Sequence, residues 1–237
     1  HKLTYIDKVK LFKGNVYTAF GTALHYACEQ LSLDNSADYE RIFKDHFGSE
    51  LRKLENIPEE HARLITEMKT QGLELASEVL EALKIKFPDY KVFSAEEKIS
   101  VPITESSIDY DYKGFLDLVI TTPDGKYHII DWKSCSWDWD MERKTDRITT
   151  YQLTYYKKFF CQKHNIDPSH VETYFGLLKR TAKKNKIEIF RVSSGPRKIK
   201  NALNILNQAV YNIHNKTHVK NKLKCAKCEF NKTEWCP

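Results

Sequence analysis

The sequence predicts an α/β protein in which helices flank one central, mixed β-sheet, and three observations support this prediction. Apolar residues recur at helical spacing through the first third of the chain. From about residue 90, the pattern changes to alternating segments rich in β-branched and aromatic residues, which is typical of strands. Helical and strand patterns then alternate to about residue 215, so we expect the strands to share one sheet.

The N-terminal helical portion, residues 1–88, contains three predicted helices. They cover residues 16–33, 37–54 and 59–86, and each carries apolar residues at helical spacing. Pro88 ends the third helix because proline cannot continue a helical hydrogen-bond pattern. The apolar stripe of this helix is interpreted as core packing.

The sheet-containing portion, residues 89–215, is predicted to hold five strands and two helices. In chain order these are strands at 91–103, 110–120 and 126–134, a helix at 146–164, strands at 170–180 and 186–193, and a helix at 196–215. The last segment, residues 216–237, is basic and cysteine-rich. We therefore expect residues 1–237 to form a single domain with a Cys-rich tail.

The amino-acid composition restricts the classes of protein to which this chain can belong. Apolar residues make up 41% and charged residues 30% of the 237 residues, so a sizeable core is expected and extensive disorder is not. The sequence has no apolar run of about 18 residues and no recognisable signal peptide, so no membrane helix is expected. The net charge of +6 suits a nucleic-acid partner, and it equally suits an ordinary soluble protein.

The segment HIIDWKS carries an acid and a base within an otherwise apolar strand. Alternation places Asp131 and Lys133 on one face of that strand. If residues 122–126 form the turn from the preceding strand, Asp117 lies opposite Asp131 and Phe115 lies opposite Lys133. Two facing carboxylates repel unless a divalent cation binds between them, and oxygen ligands suit magnesium or manganese. The alternative is a Lys133–Asp131 ion pair on a solvated sheet face.

Two predicted helices carry polar residues that are candidates for the same site. Gln152 and Tyr156 are four residues apart and therefore share a helix face. His25 lies in a helix entered through Gly21 and Thr22. Taken singly, these features have structural interpretations: a half-polar helix face and a histidine satisfied within the fold.

In combination, these segments resemble the PD-(D/E)XK nuclease superfamily. The resemblance is strongest to its RecB-like branch, which includes CRISPR-associated adaptation nucleases and the nuclease domains of helicase–nuclease machines. Five motifs occur in the family's order: Gly21 to His25, Glu96–Glu97, Gly114 to Asp117, Asp131 to Lys133, and Gln152 to Tyr156. The resemblance implies a restriction-endonuclease-like core and metal-dependent hydrolysis of phosphodiester bonds.

The resemblance also implies roles for individual residues. His25, Asp117 and Asp131 would hold a magnesium or manganese ion, with the backbone carbonyl of Trp132 as a further ligand. Lys133 would be the catalytic lysine. A metal that bridges a phosphate oxygen and water lowers the water's pKa and offsets negative charge in the transition state.

Four further residues have implied roles. Glu96 and Glu97 compete for the additional acidic position of the family, and the spacing to the following strand favours Glu96. Gln152 and Tyr156 would contact DNA near the scissile phosphate or brace the catalytic lysine.

The predicted function is therefore that of a metal-dependent DNA nuclease. Family analogy favours an exonuclease that acts on single strands or duplex ends in recombination, repair or phage DNA processing. A helicase or recombination protein is the expected partner, and the expected location is the cytoplasm of a bacterial or phage-infected cell. The alternatives are a catalytically inactive DNA-binding or assembly module of a recombination or CRISPR-like complex, and a zinc-tailed DNA-binding protein.

The tail carries three of the six cysteines, Cys225, Cys228 and Cys236, in a CxxC-x7-C pattern that suits one soft metal. It resembles the tail of RecB-like nucleases that carry a four-iron cluster. Cys28 lies three residues past His25, near the predicted active site, so the fourth ligand is expected before the first residue of this chain. Zinc and three reduced thiols are the alternatives.

Aromatic and basic segments are candidate contacts for a polymer. Trp137 and Trp139 either stack on unpaired bases or fill the core. Two basic clusters either contact phosphates or form solvated faces. Their members are Lys179, Arg180, Lys183, Lys184 and Lys186 at a predicted hairpin, and Arg197, Lys198 and Lys200 at the beginning of the last helix.

Overall fold

The structure is a computed structural model that describes residues 2–104, 106–218, 225–226 and 228–236. These residues form six α-helices and five strands around one sheet, which confirms the predicted fold class. The elements in chain order are α1 (Val16–Leu33), α2 (Tyr39–Arg52), α3 (His61–Lys86), β1 (Lys91–Pro102), β2 (Asp111–Thr121), β3 (Tyr127–Cys135), α4 (Met141–Thr145), α5 (Arg147–His164), β4 (Val171–Lys179), β5 (Ile187–Arg191) and α6 (Pro196–His214).

The predicted helices and strands all occur near their predicted positions, and the short helix α4 was not predicted. A single π-helical turn covers Lys2–Ile6, and a 3-10 turn covers Pro168–His170. Among the helices described, none combines the length and the apolar character that a bilayer span requires.

The five strands follow one another in the sheet in the order β1-β2-β3-β4-β5. Neighbouring strands are antiparallel except for β3 and β4, which are parallel. A parallel pair needs a crossover connection, and α4 and α5 supply it. Because β3 and β4 run in the same direction, their C-terminal ends meet at the same edge of the sheet.

Helices cover both faces of the sheet and form two apolar cores. Helices α1, α2 and α3 pack against one face, together with Leu118, Ile130 and the ring of Trp132. Helices α5 and α6 pack against the other face, together with Val119 and Ile129. Residues that alternate along β2 and β3 thus contribute to opposite cores, as strand geometry requires.

Strand β2 departs from this alternation at position 117. Leu118 belongs to the core under α1–α3, whereas Leu116 belongs to the core under α5 and α6. Residues two apart on a regular strand share a face, so Leu116 and the residues beyond it are turned relative to Leu118 and Ile120. On β1, the pairs Ala95–Leu118 and Glu97–Leu116 bracket Glu96, whose φ of 47° is left-handed.

The sheet opens between β2 and β3. Their ladder runs from Thr121 opposite Tyr127 to Leu118 opposite Ile130, in the register that the turn predicts. Beyond that point β2 stays paired with β1 and β3 stays paired with β4. The predicted pairing of Phe115 with Lys133 is therefore wrong, because the two strands have separated before they reach these residues.

Candidate active site

The two predicted acidic residues lie where β2 and β3 separate. Oδ2 of Asp117 accepts a hydrogen bond of 2.7 Å from the backbone N–H of Trp132. This side-chain hydrogen bond links β2 to β3 just beyond the end of their backbone ladder. The side chain of Asp117 is 16% exposed and that of Asp131 is 2% exposed. The ring of Trp132 is buried beneath α1–α3, on the opposite face of β3 from Asp131.

Asp131 is held from two sides. Its Oδ2 lies 2.6 Å from Nζ of Lys133, and its Oδ1 accepts a hydrogen bond of 3.0 Å from Nε2 of Gln152. The same Nε2 also donates to Oη of Tyr156 at 2.9 Å. Gln152 and Tyr156 therefore share the face of α5 that meets the acidic residues, as their spacing predicts.

Helix α1 brings His25 to the site from the other face of the sheet. Nδ1 of His25 lies 3.7 Å from Oδ2 of Asp117. The helix lies close to β3 because Gly21 has no side chain: a Cβ there would lie 3.0 Å from Oγ of Ser134. The glycine of the first motif thus allows the approach that places the histidine one turn later.

The two glutamates of β1 have different surroundings. The carboxylate of Glu97 accepts hydrogen bonds from Ser94 and Lys163 and lies 2.6 Å from Nε2 of His164, so it is engaged near the end of α5. Glu96 lies across from Asp117, and burial raises its pKa. This arrangement favours Glu96 over Glu97 as the additional acid.

Burial dominates the electrostatics of the acidic pair. Burial raises the pKa of Asp117 to about 6, although the Trp132 N–H and the charge of Lys133 oppose the shift. Burial also raises the pKa of Asp131 to about 6, and the negative charge of Asp117 adds to that shift. Burial lowers the pKa of His25 to about 4, so its imidazole is neutral at pH 7 and has the form that binds metals.

Two residues near the site were not singled out in the sequence. Glu29 lies one turn after His25 on α1, and its charge contributes to the raised pKa of Asp117. Glu29 comes four residues after His25 in the sequence, and this spacing indicates that the two residues share a helix face. Tyr112 stacks on Phe159 with ring centroids 4.0 Å apart, and a Cβ on Gly114 would lie 3.2 Å from its Oη. No sequence pattern pointed to this tyrosine.

The donor set fits a hard divalent cation. It offers two carboxylates and a neutral imidazole, and the buried Oδ2 of Asp131 has no partner with hydrogen-bond geometry, although the Lys133 ammonium is near. No three His, Cys, Asp or Glu side chains in the described part of the chain are grouped tightly enough to hold a metal ion. The Asp131 carboxylate contacts Lys133 and Gln152, and the Asp117 carboxylate accepts from the Trp132 N–H, so the candidate ligands are not gathered around one point in this structure.

The tail does not assemble a metal site within the residues that the structure describes. Cys225, Cys228 and Cys236 are free thiols. Among the described residues, these cysteines do not form a group of three ligands that could hold a metal ion. The tail contacts the segment that precedes α1: the N–H of Phe12 donates to Oε2 of Glu229 at 3.1 Å. The predicted iron–sulfur cluster has no support in this arrangement and stays a prediction. Residues 219–224, the basic approach to the first of these cysteines, lie outside the described residues.

The two tryptophans after β3 differ in exposure. Trp137 is 73% exposed and remains available to a ligand. Trp139 is 5% exposed, packs against Phe175, and lies beneath the guanidinium of Arg143 at 4.2 Å. Its predicted role as a stacking surface is therefore wrong, and its predicted alternative as a core residue is confirmed.

The basic hairpin between β4 and β5 is partly neutralised. Lys179 is buried and pairs with Asp138 at 2.6 Å, so it is unavailable to phosphate. Lys186 pairs with Glu74. Lys183 and Lys184 are exposed. At the beginning of α6, Nζ of Lys198 donates to the carbonyl of Ser193.

Comparison with known proteins places the chain in a family. The sequence model of the PD-(D/E)XK nuclease superfamily matches residues 1–237. Among solved structures, the crystal structure of SSO0001 is 16% identical, with a TM-score of 0.42 over 96% of this chain and 88% of that one. A candidate exonuclease from Eubacterium rectale is 11% identical, with a TM-score of 0.42 over 94% of each chain. No curated protein matches. The chain belongs to the PD-(D/E)XK nuclease superfamily.

Proposed function

We propose that this protein is a metal-dependent deoxyribonuclease that hydrolyses phosphodiester bonds in single-stranded DNA or at duplex ends. The observation that carries the proposal is the environment of Asp131. Its carboxylate is buried beside a second carboxylate, with an ammonium group at 2.6 Å and an imidazole on the neighbouring helix. This combination matches what phosphodiester hydrolysis requires: ligands for a hard cation and a fixed positive charge.

The ion would be held by Asp117, Asp131 and His25, with the carbonyl of Trp132 as a further ligand. When bound there, magnesium or manganese supplies Lewis-acid stabilisation of phosphate charge and lowers the pKa of water. Glu96 adds negative charge on the β1 side and is the candidate third acid.

Lys133 supplies the positive charge that belongs to the chain itself. Its ammonium lies 2.6 Å from Oδ2 of Asp131, and this ion pair holds it beside the acidic residues. From there it can donate hydrogen bonds to an attacking water or to a phosphate oxygen, and fixed donors of this kind stabilise charge that develops in the transition state.

Gln152 orients the acid that anchors the lysine. Its amide donates both to Asp131 and to Tyr156, so rotation of the carboxylate would break a hydrogen bond. Groups that hold metal ligands in this way influence metal affinity and activity.

The biological setting follows from the family resemblance alone. We propose an exonuclease of the RecB-like branch that acts in recombination, repair or phage DNA processing, with a helicase or recombination protein as partner and the cytoplasm as location. The proposed iron–sulfur cluster of the tail belongs to this resemblance as well.

The test compares cleavage of labelled single-stranded and double-stranded DNA in magnesium, manganese and EDTA. The variants are Asp131→Asn and Lys133→Ala, and the matched controls are Asp124→Asn and Lys126→Ala, an exposed ion pair at the other end of the same hairpin. We expect wild type and controls to cleave with either metal. We expect the site variants to lose about a hundredfold or more, the effect of removing one charge-stabilising group.

Linear and circular single strands separate the modes of attack. An exonuclease digests the linear strand and leaves the circle intact, whereas an endonuclease cuts both. DNA binding without cleavage by any form would instead support the inactive binding or assembly module. Undiminished cleavage by Lys133→Ala would contradict the role assigned to the lysine.

A further inference from the structure

We infer that the groove between α3 and the β4–β5 hairpin, together with Tyr17 at the beginning of α1, binds the unpaired end of a DNA strand that enters the acidic site. The inference rests on the proposed function for its substrate. It adds the path of the strand and the requirement that the bound end be single-stranded.

The groove adjoins the segment that follows the catalytic strand. The backbone N–H of Arg180 donates to the carbonyl of Cys135, and the N–H of Thr181 donates to the carbonyl of Ser136. Cys135 and Ser136 come two and three residues after Lys133. The groove therefore begins at the same edge of the sheet at which β3 delivers its lysine.

Helix α1 connects the two places along one face. Tyr17, Gly21 and His25 are spaced four residues apart, so they lie along one side of the helix, with Tyr17 and His25 about 80° apart around its axis. The guanidinium of Arg180 lies 5.8 Å from the ring centroid of Tyr17. Eight helical residues rise about 12 Å. At about 3.4 Å per stacked nucleotide, this distance corresponds to roughly three or four nucleotides between Arg180 and the acidic site.

The charge of Arg180 is held in place by neutral groups. Its Nη1 donates to Oε1 of Gln71 at 2.8 Å, and its Nη2 to Oγ of Ser136 at 3.4 Å. No carboxylate in the described part of the chain forms an ion pair with it. A half-buried guanidinium that is oriented but not neutralised is well suited to a phosphate, which can accept two of its hydrogen bonds.

The acidic residues in the groove have other partners. Glu67 pairs with Arg63 at 2.9 Å, and Glu74 pairs with Lys186. Both line the groove, which has a volume of about 530 Å³ and also includes Lys183. Lys183 is exposed and has no ion-pair partner among the described residues. The groove thus offers two uncompensated positive charges to a strand of phosphates.

Exposed aromatic rings at the mouth of the groove favour unpaired bases over a duplex. Tyr17 is 50% exposed beside Arg180, and Trp137 follows Ser136 directly and is 73% exposed. Bases stack readily on such rings when they are unpaired, whereas bases within a duplex already stack on one another. Aromatic rings beside positive charges form the usual combination for sequence-independent binding of single strands.

The test measures binding in EDTA, where no cleavage interferes. Fluorescein-labelled oligo-dT and a blunt hairpin duplex are titrated by fluorescence anisotropy at several salt concentrations. We expect Arg180→Ala and Lys183→Ala to weaken oligo-dT binding and each to reduce the slope of log K against log salt by about 0.7. We expect Tyr17→Ala to weaken binding roughly 5- to 100-fold with no change of slope, and Tyr17→Phe to bind like wild type.

The control is Arg41→Ala, an exposed arginine on α2 away from the groove, which we expect to match wild type. Thermal unfolding checks that each variant is folded. If Arg180→Ala does not fold, Lys183→Ala still tests the inference. Unchanged affinity and slope in both charge variants, or an equal loss for duplex and oligo-dT, would overturn the inference. Hydrolysis of bis(p-nitrophenyl) phosphate by wild type tests the proposed function separately, since binding in EDTA does not depend on catalysis.

Discussion

The backbone N–H of Trp132 donates to Oδ2 of Asp117 across 2.7 Å, just where the ladder between β2 and β3 ends. This hydrogen bond keeps Asp117 beside Asp131 although the two strands have separated. It also holds two carboxylates together in a buried place, and burial raises the pKa of both to about 6. The site therefore carries an electrostatic cost at neutral pH that a divalent cation would offset.

The first prediction concerns Asp117→Asn, whose side-chain oxygen can still accept the Trp132 hydrogen bond. The carboxyl pKa is raised from 3.8 to about 6 on folding, so its favourable contribution is complete below pH 3.8 and is lost as pH rises through 6. Without divalent ions, the variant should be more stable than wild type at pH 8, by roughly 1–3 kcal/mol. Near pH 4 the difference should vanish.

Denaturant unfolding in EDTA across pH 4–8 measures this effect. Asp124→Asn, in the exposed turn between β2 and β3, is the control, and we expect no stabilisation at pH 8 because its hydrogen bond with Thr122 lowers the carboxyl pKa. Added magnesium should stabilise wild type more than Asp117→Asn. A variant less stable than wild type at pH 8 would contradict the account of the site.

The second prediction concerns Gln152→Ala. Removing the amide frees Oδ1 of Asp131 and Oη of Tyr156, so the carboxylate loses one of its two fixed partners. We expect a 10- to 100-fold loss in activity or in apparent metal affinity, as for other groups that orient metal ligands. Metal titrations of the cleavage rate measure it. Gln162→Ala, on the same helix but bonded to the carbonyl of Pro102, should behave like wild type.

The third prediction tests the packing behind the site. A Cβ on Gly176 would lie 2.2 Å from the ring of Trp132, the residue whose N–H holds Asp117. We expect Gly176→Ala to lose about 1–3 kcal/mol of stability through overpacking, and also to lose activity per folded molecule. Gly72→Ala is the matched control, because its Cβ would lie 2.0 Å from Phe43 between α2 and α3. It should lose similar stability and keep its activity once folded; equal activity losses would refute the link.

Much of the fold could be predicted from local pattern. Helix and strand periods fixed the element types, and the turn at residues 122–126 fixed the register that brings Asp117 near Asp131. Strand alternation and register predicted that Asp117, Asp131 and Lys133 lie close together. His25, Gln152 and Tyr156 were assigned to the site through the family resemblance. The family resemblance implies one further acid, the spacing favours Glu96 over Glu97 for that position, and the different surroundings of the two side chains favour the same choice.

The remaining features depend on contacts that sequence spacing does not encode. Trp139 and Trp137 are two residues apart in one loop, yet only Trp139 finds a buried place against Phe175. In the sequence Lys179 cannot be distinguished from the exposed basic residues that follow it. In the structure it is the last residue of a buried strand and forms an ion pair with Asp138. The separation of β2 from β3 arises because each strand keeps a different partner, which no single segment reveals.

The fourth prediction concerns the backbone of Glu96, whose φ of 47° is unfavourable for a residue with a side chain. Glycine adopts this conformation freely but loses more entropy on folding, so Glu96→Gly should raise stability by up to about 1 kcal/mol. It should also lower activity, because the carboxylate across from Asp117 is removed. Glu96→Gly should therefore be more stable and less active than wild type. This combination is expected where backbone strain is retained at a functional position.

Two further variants separate the backbone from the side chain. Glu96→Gln keeps the strained backbone and removes the charge, so activity should fall without the gain that glycine gives. Asp89→Gly relieves a similar φ of 57° in the turn before β1, so it should gain stability and keep full activity. Chemical denaturation and cleavage rates at saturating manganese measure both properties. Full activity in both Glu96→Gly and Glu96→Gln would show that Glu96 has no role in the site. The strained conformation at that position would then have no catalytic explanation.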